Sequence, residues 1–242
     1  MKKYIYQTIN IIFTFIMLSC NVHSAEVENL KNWNAGAVIT TEAIKIYGEE
    51  KTFVSSEISK DIYDRIYGKS YKTDCTIPLT DLCYLKILHY DIDGKIRIGE
   101  MICNKMISND LISIFRELYL AKYPIEKMIL IDKYDANDEA SMRDNNSSSF
   151  NFRTITGGGK LSKHALGLAV DINPLYNPYV KILPNGDIYV EPNNAHVYID
   201  RSNGFDYKID SSDLCYKLFT QYGFEWGGDW KTIKDYQHFE KR

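Results

Sequence analysis

The chain predicts an α+β fold with a mostly antiparallel sheet, on three observations. Two apolar runs, Leu82 to His89 and Ile96 to Cys103, flank Asp93-Gly94, a dipeptide suited to a tight hairpin turn. A third run places Leu111, Ile112, Phe115, Leu118 and Tyr119 on one face at helical spacing. Strand and helix signals are interspersed and hairpin-linked instead of alternating as βαβ units. Composition agrees with a folded domain: 242 residues, 45% hydrophobic, 13% aromatic and 25% charged. Such fractions exclude a disordered chain, a collagen-like repeat and a coiled coil. The formal net charge is −3, from 29 Lys+Arg against 32 Asp+Glu, so there is no basic excess to bind nucleic acid.

From the N-terminus, Met1-Lys2-Lys3, the apolar run Ile11 to Leu18, and Ser19-Cys20 have the layout of a bacterial export signal. The run is shorter than the roughly 20 apolar residues a membrane-spanning helix needs. Met17-Leu18-Ser19-Cys20 resembles a lipobox, which would make residues 1–19 a lipoprotein signal peptide and Cys20 the lipid anchor. Cleavage after Ser24 is the alternative, and either route places the protein in the periplasm or cell envelope. Residues 20–60 are polar, show no clear hydrophobic period and read as a leader; residues 61–242 then form a single domain. In that domain Asn109 is the expected cap of the helix that follows the hairpin, with Pro124 as its stop. Met128 to Ile131 and Leu166 to Ile172 are strand candidates. Asp210 or Ser211 is expected to cap a helix bearing Leu214, Leu218, Phe219 and Tyr222, ended by Gly223. Cys75, Cys83, Cys103 and Cys215 are an even set for an oxidising compartment; four cysteines allow three pairings, and no C-x-x-C pair is present.

Two stretches carry groups that packing does not require. One is Ser162-Lys163-His164-Ala165-Leu166-Gly167-Leu168-Ala169-Val170-Asp171, and the other is Gly227-Gly228-Asp229-Trp230 followed by Asp235-Tyr236-Gln237-His238-Phe239-Glu240. A hydrolytic zinc site needs three protein ligands, an open position for water and a nearby base. His164 and Asp171 can supply two ligands, His238 the third, and Asp235 the base. Two imidazoles and a carboxylate suit Zn²⁺ better than Ca²⁺ or Mg²⁺. The blander account is a hydrogen-bonding network, because a single His-x6-Asp spacing is common by chance. His89 sits in the apolar hairpin and reads as structural; His196 reads as solvated. Tyr176, Tyr179, Phe224, Trp226 and Trp230 are core by default, with one or two free to line a peptide cleft.

Taken together, Ser162-x-His164-x-x-Gly167-x-Ala169-x-Asp171 and the distal Asp235-x-x-His238-Phe239 resemble the signature of VanY-type D-alanyl-D-alanine carboxypeptidases. They look closest to the branch of endolysins that cut L-alanyl-D-glutamate bonds. The resemblance implies a zinc peptidase of the DD-carboxypeptidase/hedgehog-like type, with a mostly antiparallel central sheet and flanking helices. It implies that His164, Asp171 and His238 bind one zinc ion, that Asp235 is the general base and that Ser162 lies near the bound peptide. It also implies that Arg153 contacts the substrate carbonyl, with Arg143 as a competing candidate. The expected partners are peptidoglycan peptides, with membrane contact only through a lipid on Cys20. A cell-wall-binding lipoprotein without activity is the alternative, and a purely structural lipoprotein a third. Lys163, Arg153 and Arg201 could each grip a terminal carboxylate, and the residues alone do not rank them.

Overall fold

A computed structural model describes residues 23–154 and 159–242. The expected signal peptide and Cys20 lie outside the described residues. In chain order the elements are α1 (residues 23–32), β1 (Val38–Ile39), α2 (Thr41–Tyr47), β2 (Val54–Glu57), α3 (Lys60–Ile66), β3 (Leu82–Tyr90), β4 (Ile96–Asn104) and α4 (Lys105–Leu120). They continue with α5 (Asp138–Arg143), β5 (Ala169–Asp171), β6 (Tyr179–Ile182), β7 (Ile188–Glu191), α6 (Leu214–Gln221), β8 (Glu225–Trp226), β9 (Lys234–Asp235) and β10 (His238–Glu240). The α+β expectation holds, and every ladder between these strands is antiparallel. One central sheet was expected; the strands instead form three sheets, ordered β1-β4-β3-β2, β5-β10-β8 and β7-β6-β9.

The hairpin of β3 and β4 divides the core. It pairs from Leu82 opposite Asn104 to Tyr90 opposite Ile96, and Gly94 turns it with φ 74°. Alternate side chains go to opposite faces. Leu85, Ile87, Met101 and Cys103 pack with Leu111 and Phe115 of α4, Phe219 of α6, and Val170 and Phe239 of the sheet β5-β10-β8. Leu82, Tyr84, Leu88, Ile98 and Ile102 pack on the other side with Leu30, Trp33, Ile44, Ile66 and Phe150. Burial on both faces explains why β3 reads as a nearly continuous apolar run.

Several expectations are corrected. Residues 20–60 are not simply a leader, since from residue 23 the chain folds onto the hairpin. Leu30, Trp33, Ile39, Ala43 and Ile44 are buried, β1 pairs with β4, and the Trp33 indole N–H donates to the Gly99 carbonyl at 3.0 Å. The apolar residues there are sparse, but Val27, Leu30 and Trp33 recur at three-residue spacing and so share one face. Helix α4 starts directly from β4, capped by Asn104, whose side chain accepts from Met106 N at 3.0 Å; Asn109 is interior to it. Met128 to Ile131 is not a strand: the Asn146 side chain takes both backbone groups of Ile129, and Ile131 opens a 3-10 turn. Asp213, not Asp210 or Ser211, caps α6, and Gly223 follows it with φ 81° as expected. Cys75, Cys83, Cys103 and Cys215 are free thiols.

Candidate metal centre

The alternation of β10 creates the site. Phe239 is fully buried and stacks on Phe219 at 4.3 Å, so its neighbours His238 and Glu240 point the other way. In β5, Val170 likewise enters the core and turns Asp171 outward. The antiparallel register sets His238 directly opposite Asp171, and opposed residues share a face. Two ligand candidates 67 positions apart thus become cross-strand neighbours. His164 arrives on the turn at 163–167, which Gly167 closes with φ 66°. A Cβ on Gly167 would stand 2.7 Å from Asn104 N, and its absence lets that N–H donate to the Gly167 carbonyl at 2.9 Å. The turn is thereby pinned to the end of β4.

The ring nitrogens have defined roles. His164 Nδ1 is 2.7 Å from the Ser149 carbonyl, which can only accept, so Nδ1 carries the hydrogen and Nε2 presents a lone pair. His238 Nε2 is 3.1 Å from Glu240 Oε2, which by the same logic leaves Nδ1 as the inward nitrogen. His164 Nε2 and His238 Nδ1 lie 3.1 Å apart, and Asp171 oxygens lie 3.2 and 3.1 Å from them. Each imidazole faces its own Asp171 oxygen, Oδ2 for His164 and Oδ1 for His238, and one ligand atom from each of the three residues completes a triangle with sides of at most 4.8 Å. Donor atoms at zinc's tetrahedral bond lengths of about 2.0–2.1 Å stand roughly 3.3 Å from one another, close to the 3.1 Å between the two imidazole nitrogens, with an Asp171 oxygen as the third donor. Without a cation the relief is a proton: burial opposes it, but Asp171 and Glu240 push His238 up to about 10. Burial works against charge on Asp171 too, yet the two imidazoles hold it well below the usual carboxylate range.

Asp235 ends β9 close by. Gly227 admits its backbone, since a Cβ there would come within 2.6 Å of the Asp235 carbonyl. Asp235 Oδ1 is buried without a partner. Burial pushes the carboxyl up to about 7, modulated by His238, Asp171 and His164, which places it within the electrostatic reach of the triangle. The Trp230 ring lies 5.4 Å from that of His238.

Residues 156–241 match the D-alanyl-D-alanine carboxypeptidase family. This is the VanY-type resemblance carried by the motifs, now borne out over that segment. The match supports a peptidase, and it spans His164, Asp171, Asp235 and His238 while leaving Arg153 just outside. Comparison of the chain with curated proteins and with solved structures gave no match.

The remaining candidates lie in and around the matched segment. Arg153 forms an ion pair with Asp138 at 2.5 Å, though its N–H is not aligned as a hydrogen bond, and its carbonyl accepts from Ser162 N at 3.1 Å. Ser162 is buried, and its hydroxyl oxygen accepts from Ala165 N at 3.0 Å; what it shows is a capping role in the His164 turn. Lys163 donates to the Lys241 carbonyl. Arg201 is corrected as a carboxylate grip: it donates to the Tyr176 and Ile209 carbonyls and to Asn177 Oδ1, and burial lowers it to about 10. Arg143 and His196 are exposed, and His89 is buried, donating to the Ile125 carbonyl as a structural residue. Two partners of the candidate ligands were not anticipated, Glu240 and the Ser149 carbonyl. Glu240 had a signal, since it sits two residues from His238 in a strand and so shares its face.

Proposed function

We propose that this chain is a zinc-dependent peptidase of peptidoglycan stem peptides, cutting at D-Ala-D-Ala as a carboxypeptidase or at L-Ala-D-Glu as an endopeptidase. The observation that carries the reading is the convergence of His164 Nε2, His238 Nδ1 and an Asp171 oxygen, one ligand atom from each residue within 4.8 Å of the others. The donor set of two imidazoles and one carboxylate is that of a catalytic zinc site. A zinc ion held by His164, Asp171 and His238 would supply a Lewis acid that lowers the pKa of water toward about 7 and polarises the scissile carbonyl.

The chain's own groups do the rest. Ser149 and Glu240 fix the tautomers and ring planes of the two imidazoles. Asp235, poised near 7 by burial, takes the proton of the attacking water and returns it to the leaving amine. Arg153, held by Asp138, offers positive charge to the carbonyl oxygen as it becomes an oxyanion. A binding module without activity would have no use for a buried, unpartnered carboxylate beside the triangle. The N-terminal export signal, with a lipid on Cys20, would station the enzyme in the cell envelope beside this substrate. No helix among the described residues is long and apolar enough to cross a membrane.

Digestion of defined muropeptides by the zinc-loaded protein, followed by mass spectrometry, tests the proposal. Cleavage of one peptide bond, abolished by a chelator and restored by zinc, is expected. Intact muropeptides in the presence of stoichiometric zinc would contradict it.

A further inference from the structure

The sheet β7-β6-β9 borders the triangle because β9 ends in Asp235. In its register Tyr179 stands directly opposite Asp235 on one side and Glu191 on the other. Opposed residues share a face, so all three side chains point the same way, and by period two Lys181 and Tyr189 join them. The opposite face carries the facing pair Val180 and Val190, the latter buried. A strip of polar and aromatic side chains therefore runs outward from the base.

Other observations agree with this placement. The rings of Tyr179 and Tyr189 meet edge to face at 6.3 Å. Burial raises the Tyr179 phenol, and the next contributions come from Asp235 and Glu191. The Tyr189 hydroxyl is bonded to Glu191. Among the described residues the Tyr179 hydroxyl makes no hydrogen bond, although its ring is half-buried. Just past β7, Asn193 N donates to Glu139 of α5 at 2.9 Å, and the neighbouring Asp138 holds Arg153. The strip and Arg153 are thus fastened to the same short helix.

We infer that Tyr179 is a substrate-contact residue, its phenolic O–H hydrogen-bonding a backbone carbonyl of the bound peptide on the Asp235 side, where the leaving amine forms. This rests on the peptidase reading and deepens it by naming which wall of the site grips the peptide. An O–H donor aimed at no protein acceptor, beside a base that must itself meet the leaving group, has a peptide acceptor as its natural partner.

Tyr179→Phe tests the inference, because it keeps the ring and its contact with Tyr189 and removes only the donor. With zinc-loaded protein and a defined stem peptide, kcat/KM should fall about tenfold, the scale of one neutral hydrogen bond. Zinc content and melting temperature should be unchanged. A change in kcat/KM of less than about twofold would overturn the inference, since a hydrogen bond of that class is worth more. Loss of zinc or of melting temperature would also overturn it, by making the residue structural. Titration of the same peptide into zinc-free protein supplies a separate readout: weaker binding by the variant is expected, and equal binding contradicts the contact. If the wild type binds peptide but cleaves none, the peptidase reading fails while this titration still decides the role of Tyr179.

Discussion

Two buried clusters of ionisable side chains, one in each half of the chain, are built on opposite principles. In the N-terminal half Glu100 is 2% exposed. It accepts from Arg65 Nη1 at 2.9 Å and Nη2 at 2.5 Å, from the Tyr84 hydroxyl at 2.6 Å, and from Leu130 N at 3.3 Å. Both of its oxygens are occupied by donors. In the C-terminal half His164, Asp171 and His238 turn acceptors toward one another, and Asp235 keeps one oxygen bare. Desolvated polar groups cost free energy unless paired, so the first cluster is complete in itself and holds the fold. The second leaves carboxylate and imidazole groups without protein donors, which suits the metal site proposed for it.

The contrast can be broken at either end. Asp235→Asn should lower kcat by about 10²–10⁴-fold, the range of a general base, while zinc content stays at wild-type level; undiminished turnover would remove Asp235 from the chemistry. Glu100→Ala should do the reverse. It leaves Arg65 and Tyr84 without their acceptor and should cost about 3 kcal/mol of stability, read from denaturant unfolding, with the folded fraction binding zinc normally. A stable Glu100→Ala protein that had lost zinc would erase the distinction between the clusters. Glu240→Ala should have the smallest effect, weakening zinc affinity about 10–100-fold by freeing the His238 ring, as loss of an outer partner does. Unchanged affinity in a competition titration would show that His238 is oriented by something else.

The three ligand candidates were legible in the sequence because their residue types, order and the small residues Gly167 and Ala169 are chemically demanding. The hairpin was legible through Asp93-Gly94 and the apolar runs beside it. What was hidden has a common cause: polar residues that serve the backbone look like surface loop. Residues 145–151 are almost all polar, yet Asn145, Asn146, Ser147, Ser149 and Asn151 are buried. Their side chains stand in for strand partners, Asn145 Oδ1 accepting from Leu175 N and Ser147 Oγ from Asn173 N. Through them Ser149 is held where its carbonyl meets His164. Arg201 misled in the same way, as a loop cation that is half-buried against carbonyls and stacked on Tyr236. Residues 23–60 were missed because a few apolar side chains at three-residue spacing are enough to dock a segment onto a hairpin that is otherwise complete.

The central claim is that one cation sits between three particular atoms. Crystals grown with zinc and measured at the zinc absorption edge test it most directly. The account predicts a single strong anomalous peak about 2.0–2.2 Å from His164 Nε2, His238 Nδ1 and an Asp171 oxygen. Zinc-loaded crystals with no peak among those atoms, or with the peak on other side chains, would contradict it.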